Sequence, residues 1–378
     1  MADTRARGYF PLYRVEKRSI DTIHMEKYLG EALKSRVSTS GLKDKRSVAV
    51  QFATPTSTRA DDPQKVEHEH FRAVRVGYVS RPLTRGSNTA NRFTVVVRDG
   101  GPEVSSNAME AFALAERMKL PNFYGLQRFG GGGTLTSRIG RAIVGRNFEE
   151  AVGLLLFEPR SADGDESSEA RKMMREGRLD EGSIMLPPSM DIERAVARRL
   201  AKGPGAFVDS LRAVPIRVRR LYTQAFQSYL FNRTLSEALE AGVDISAIES
   251  GDNWGEAGGG GLFVSKVHGV REPFIAGAFP LIQLAGFACR NYGSRFDGFL
   301  FKVMDEEGVG PKDFYVEELQ EVSVEGGFRR PAMVVRNPEA ESQPGGTTVR
   351  FTLGRGSYAT VLLREVLKPV DPSASGFT

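Results

Sequence analysis

The segment GLKDKRSVAVQ, residues 41–51, sets one carboxylate, Asp44, among Lys43, Lys45 and Arg46, just ahead of an alternating apolar run. Two chemistries suit that pattern. In the plainer one it is a charged hairpin end in water, with Gly41 permitting a tight turn. In the other it lines a pocket, where the neighbouring cations hold Asp44 ionised and the carboxylate attacks an electron-poor carbon as a covalent nucleophile. The same cations then meet a phosphate backbone, which brings an anion to an anion.

Two further stretches carry recognition chemistry. PNFYGLQRFG, residues 121–130, crowds Asn122, Phe123, Tyr124, Gln127, Arg128 and Phe129 around Gly125. Rings beside amides and an arginine are what a flipped or single-stranded base requires: faces to stack on, and donors and acceptors for the uracil edge. A loop whose rings plug the core is the alternative. In AFQSYLFN, residues 225–232, the aromatic face reads as core, while Ser228 and Asn232 share one side of a helix.

Other chemistries fall away. His68 and His70 in HEH would share a strand face, but four histidines and one cysteine, Cys289, leave no multi-thiolate metal site or intrachain disulfide, and a solvated strand suits HEH better. No GxSxG elbow or visible base supports a serine triad. GGGGTLTSRIGR, residues 130–141, lacks the GK[ST] ending of a P-loop and reads as a loop beside an RNA backbone or as a plain turn; Gly258–Gly261 reads as a loop tip.

The elements that must position these groups follow from periodicity. Residues 19–36 form a helix capped by Asp21, with Ile23, Leu29, Ala32 and Leu33 at helical spacing. RSVAVQFATP is a strand with Val48, Val50 and Phe52 on one face, and two more β-rich runs span 67–80 and 91–100. A helix over 105–120 puts Met109, Phe112 and Ala113 on one side and ends at Pro121. The acidic stretch 161–170 reads as a solvated loop near a domain edge, and helices follow, the longest over 219–242 with Tyr222, Phe226, Tyr229 and Leu230 on one face. The 260s to 320s read as strand, 336–348 as a loop, and 349–368 as strand, tight turn and helix.

With 378 residues and 40% hydrophobic content the chain can bury two or three domain cores. The net charge of +5 is modest but unevenly placed, consistent with a polyanionic partner. No long apolar run or signal-like h-region occurs, so a cytoplasmic protein without membrane contact is expected. Basic segments 212–222 and 175–178 are candidates for a nucleic-acid backbone grip or for solvated helix faces.

Taken jointly, GLKDKRSVAVQ, NFYGLQRFG and LGRGSYATVLLREVL (353–367), in that order and spacing, resemble the TruD family of tRNA pseudouridine synthases, especially its archaeal and eukaryotic-type members. The likeness extends over most of the chain. It implies an α+β fold: a pseudouridine synthase core, with a mixed, mainly antiparallel sheet flanked by helices, over 1–149 and 334–378, and an inserted α/β TRUD domain over 150–333. By motif position it implies Asp44 as the catalytic aspartate, Asn122 as a contact to the target uridine, Tyr124 as a ring stacked on it and Tyr358 as a further pocket aromatic. Lys43 takes a supporting electrostatic role, and Arg128 belongs to the same substrate-binding set.

The reaction implied is cofactor-independent isomerisation of uridine to pseudouridine at uridine 13 of the tRNA D-arm, with no metal and no obligate protein partner. Family members carry an upstream D-F-x-V-x-E leader that lends another aromatic, and the start MADTRARGYFPLYRVEKR is expected to lack it. A non-catalytic RNA chaperone on the same surface, or a methyl-donor-dependent RNA enzyme using the glycine clusters, would be the rival readings.

Overall fold

Asp21 accepts hydrogen bonds from the amides of Ile23 and His24 and starts the helix Thr22–Leu33, as its cap position requires. The computed structural model describes residues 9–57, 61–98, 103–130, 134–160, 163–258, 263–269 and 275–377. They fall into two units, one ending at Asn91 and the other starting at Arg92.

In the first unit, five strands lie in the order Val37–Thr39, Ala49–Pro55, Phe10–Lys17, Phe71–Val79, Lys65–His68. Each neighbouring pair is antiparallel. One sheet face packs Tyr13, Val15, Ala53 and Phe71 against Met25, Leu29 and Leu33 of the helix, burial that stabilises by roughly 1.5–3 kcal/mol per large side chain. The helix stripe is therefore Met25, Leu29 and Leu33, and the expected Ile23 and Ala32 point outward. Val48, Val50 and Phe52 do share a face, but it is the exposed one, because Gln51 and Ala53 alternate toward the helix.

HEH is a hairpin end rather than one strand. Lys65–His68 stops at His68, Phe71–Val79 starts two residues after Glu69, and the His68 ring stacks on Tyr28 and Phe71 at 4.8 Å each. Among the described residues no three His, Cys, Asp or Glu side chains gather as a metal site would need.

A further sheet is ordered Val335–Gln343, Gly346–Gly354, Ala90–Val97, the last strand belonging to the second unit from Arg92 onward. The helices Glu103–Glu116 and Ala359–Leu367 contribute with it to a core that includes Ala108, Phe112, Met333, Val349, Phe351, Leu353 and Leu362. Met109 and Ala113 face outward, so the buried helix side is Ala108, Ala111, Phe112 and Ala115 instead of the expected one.

The 336–348 stretch is a hairpin and not a loop: Val335–Gln343 pairs with Gly346–Gly354, and its residues beyond Val335 are solvated. An edge strand with charged outward residues shows no apolar alternation and so mimics a loop in sequence. Pro338 sits in the bulge between Arg336 and Glu339, where a missing N–H is tolerated. At the turn, a Cβ on Gly346 would meet the Val97 carbonyl oxygen at 2.2 Å, which requires glycine there.

Among the described residues, six helices between Leu135 and Arg212 surround a second core that includes Ile143, Leu155, Met174, Val196 and Leu211, closed by Val316, Leu319 and Val322 from much later in the chain. The 25-residue helix Ile216–Glu240 buries Tyr222, Phe226 and Leu230, as its periodicity predicts, and also Phe231 and Leu235 on another side. The helix Leu135–Val144 crosses it at Gly140, where a Cβ would lie 2.0 Å from the Tyr222 carbonyl oxygen.

The 260s to 320s are only partly β. Ser294 and Asp297 form a capping box that starts the helix Arg295–Glu306, and short 3-10 turns follow at Pro311–Phe314 and Glu317–Val322. The phenylalanines of that helix hid its S-x-x-D start signal. Of the glycine clusters, residues 131–133 and 259–262 lie outside the described residues.

Candidate active site

Asp44 lies in the turn before the strand Ala49–Pro55, with its side chain exposed. Its backbone is held from several directions. The Lys17 Nζ donates to the Asp44 carbonyl oxygen at 2.6 Å and to that of Ile20 at 2.8 Å, and Ser47 Oγ donates to the Asp44 carbonyl at 2.9 Å. One residue upstream, the Lys43 amide donates to Thr22 Oγ1 at 2.8 Å, at the first residue of the helix.

The Asp44 carboxylate itself makes no hydrogen bond or ion pair among the described residues. Burial pushes the Lys17 and Lys43 ammonium groups below their ordinary pKa, and in both cases the charge of Asp44 works against that shift. Lys43 also hydrogen-bonds Asn91. The result is a free carboxylate on a fixed backbone, next to two partly desolvated cations.

In the second unit, NFYG and GSYAT converge. Arg329 is 8% exposed and joins them: it donates to the Asn122 carbonyl at 2.8 Å, to Asn122 Oδ1 at 3.1 Å and to the Gly356 carbonyl at 2.8 Å. Its guanidinium carbon lies 4.0 Å from the centre of the Tyr124 ring, a cation–π contact. Burial lowers the Arg329 pKa, while the Tyr124 and Tyr358 charges oppose that shift.

Tyr124 meets Tyr358 edge-on, ring centres 5.8 Å apart, and Phe231 at 5.5 Å. Burial raises the Tyr358 hydroxyl pKa, with Arg128 and Arg329 pulling the other way. Asn232 clasps the Tyr124 backbone, accepting from its N–H at 2.8 Å and donating to its carbonyl at 3.0 Å. Arg128 donates to Ser228 Oγ at 3.1 Å and stands 5.8 Å from the Tyr124 ring. Asn122, Tyr124, Arg329, Gly354, Gly356 and Ser357 are among the residues around a cavity of about 220 Å³, several times the ~30 Å³ share of one water. A ring-lined hollow with amide and guanidinium groups at its wall suits a flat, polar-edged ring.

The family model for tRNA pseudouridine synthase D matches residues 1–366. The chain belongs to the TruD family. It is 31% identical over 369 residues to a Methanopyrus kandleri protein named probable tRNA pseudouridine synthase D, covering 96% of this chain and 86% of that one. With a protein of the same name from Pyrobaculum arsenaticum it shares 33% over 376 residues, 98% and 86% of the two chains. It also superposes on the crystal structure of a Methanosarcina mazei protein described as tRNA pseudouridine synthase D, with a TM-score of 0.79, 28% identity and coverage of 98% and 90%. The α+β fold expected from the motifs is thus that of a TruD-family tRNA pseudouridine synthase.

Of the residues the sequence singled out in this TruD-family chain, Asn122, Tyr124, Arg128 and Tyr358 come together in the second unit, and Lys43 stands beside Asp44 in the first. Ser228 and Asn232 share a side and both brace the NFYG segment. Two residues were missed. Lys17 ends the strand Phe10–Lys17, an element absent from the expected ones, and it is 1% exposed. Arg329 sits in the short strand Gly327–Arg329 with no periodicity to mark it; its only signal was a charged pair, Arg329 and Arg330, before Pro331.

The basic segments proposed as a backbone grip are largely committed elsewhere. Arg219 donates to the Val214 carbonyl and pairs with Glu321, Arg220 donates to the Glu321 carbonyl, and Arg212 to that of Glu318. In REGR, Arg175 donates to the Phe157 carbonyl and Arg178 pairs with Glu176. These guanidiniums tie helices and turns together. Among the described residues, no helix is long and apolar enough to cross a membrane.

Proposed function

We propose that this protein converts uridine 13 of the tRNA D-arm to pseudouridine, with Asp44 as the nucleophile. The observation that carries the reading is the Asp44 carboxylate, which no hydrogen bond claims among the described residues and which Lys17 and Lys43 back. Asn122, Tyr124 and Tyr358 receive the everted base, and Arg128 and Arg329 supply positive charge around the Tyr124 ring. The base must leave its stack, because its reacting carbons are inaccessible inside folded RNA.

The carboxylate attacks an electron-poor carbon of the nucleotide, C6 of uracil or C1′ of ribose, and the bond it forms is broken again before product leaves, which returns Asp44 as a free carboxylate. On either route the N1–C1′ bond breaks, the uracil turns, and a C5–C1′ bond forms. The C5 proton is lost and N1 gains one, so substrate and product are isomers and no cofactor or metal is consumed.

The same family reading assigns residues 150–333 as an inserted domain whose first element is the helix Phe148–Phe157, and 1–149 with 334–378 as the catalytic core. Its support is the existence of two clusters, one helical and centred on Leu155 and Val196, which also takes in Ile139, Ala142 and Ile143 from ahead of that boundary, the other built from Phe112, Phe351 and Leu362.

Asp44→Ala and Asp44→Asn test the reading. Carbodiimide mapping of a tRNA transcript should find pseudouridine at position 13 with the unaltered protein and none with either variant, while filter binding shows tRNA affinity kept within a few fold. Turnover by Asp44→Ala removes Asp44 from the mechanism. Binding by the unaltered protein without any pseudouridine would make it an RNA-binding chaperone.

A further inference from the structure

Lys17 is 1% exposed at the end of the strand Phe10–Lys17. A buried lysine costs stability unless its charge is compensated, and here both acceptors are main-chain oxygens, those of Ile20 and Asp44. The Ile20 oxygen ties the ammonium to the connection leading into the helix Thr22–Leu33. The Asp44 oxygen ties it to the proposed nucleophile.

Thr22 grips the other side of the same peptide. It is 1% exposed, its hydroxyl accepts from the Lys43 amide at 2.8 Å, and it lies at 3.4 Å from the Lys43 carbonyl oxygen. Lys43 and Asp44 are thus pinned to the helix start by two buried side chains, although the segment around them has no regular secondary structure. Nothing among the described residues pins the carboxylate, so its position follows from the backbone alone.

Resting on the reading of Asp44 as nucleophile, we propose that Lys17 is the positioning residue of the reaction: its buried side chain fixes the Asp44 peptide through the Asp44 carbonyl and places an amine near the carboxylate, with Thr22 as the second jaw of the clamp. The other charged groups facing the ammonium are Asp21, which favours its charge, and Lys43, which opposes it. Replacement of a group that sets the reacting geometry acts on the rate and leaves uniform substrate binding intact.

The test is single-turnover pseudouridine formation on a tRNA transcript by Lys17→Met, Lys17→Gln and Thr22→Val, with tRNA affinity and a thermal melt measured on each. Lys17→Met should lower the rate at saturating tRNA on the order of 10²-fold, the effect of a misplacement near 1 Å, with affinity within a few fold. Lys17→Gln, which keeps a donor but no charge, should recover part of that loss. Thr22→Val, close in shape, should lower the saturating rate with affinity retained and serves if the lysine variants do not fold.

A merely structural role predicts the opposite split: a lower melting point and normal saturating rate for the folded fraction, in all three. That result overturns the proposal. If Asp44→Ala is inactive while the clamp variants turn over normally, only this inference fails; if Asp44→Ala is active, the reading beneath it fails first.

Discussion

Arg329 reaches back across 207 residues to hold both the carbonyl and the side-chain oxygen of Asn122. Its other terminal nitrogen holds the Gly356 carbonyl, two residues before Tyr358. The two motifs that would grip a base are therefore registered against each other by one planar fork, a task for which lysine has neither the geometry nor the donors.

Replacing this fork should be costly in stability and in substrate handling. Arg329→Lys leaves the Asn122 and Gly356 oxygens short of donors at ~1–3 kcal/mol each, so we expect a loss on the order of 3 kcal/mol in denaturant melts. The same variant should bind tRNA more weakly. An unchanged melt with unchanged pseudouridine yield would remove Arg329 from this role.

The Tyr124 ring is expected to act through its face. Tyr124→Ala should weaken productive binding by ~1–3 kcal/mol, the usual worth of one base–aromatic stack, read as a fall in kcat/KM on tRNA. Tyr124→Phe keeps the face and the cation–π contact with Arg329 and should remain close to the unaltered enzyme. Equal losses in both variants would point to the hydroxyl instead.

Alkaline stability should be limited by groups buried in neutral form. Burial pushes the Tyr222 hydroxyl up to about 12 from 10.0, and the Cys289 thiol up to about 12 from 9.0. A raised folded pKa means the folded state keeps its proton where the unfolded chain loses it, so this stability is complete below pH 9 and drains away between pH 9 and 12. For Tyr222 two pKa units correspond to about 3 kcal/mol. Melting points measured across that range should fall, and in Cys289→Ala the decline should begin nearer pH 10.

Much of the site was readable because its residues sit in short, chemically dense segments. GLKDK and NFYGLQRFG carry their own reasons for being noticed, a carboxylate among cations and rings beside amides, whereas GSYAT and its Tyr358 stood out only through the family resemblance. The spacing of Tyr222, Phe226 and Leu230 likewise announced a buried helix face.

What escaped detection were long-range relationships. Lys17 and Arg329 act by bonding main-chain oxygens of distant segments, and no local pattern encodes which carbonyl a buried cation will meet. The strand Val335–Gln343 escaped for a different reason, since an edge strand exposed along nearly its whole length has no face to alternate. The basic runs misled because composition counts charges without revealing which are already paired.

The ring-lined cavity draws on Asn122, Tyr124, Arg329 and Gly356, with Tyr358 beside them, and so it cannot assemble until the ribosome has delivered nearly the whole polypeptide. A product of early termination would lack this hollow however well its first unit folded. Under the proposed reading, capture through these rings waits for residues as late as Tyr358, and a fragment ending before Gly354 would not hold a base in this way.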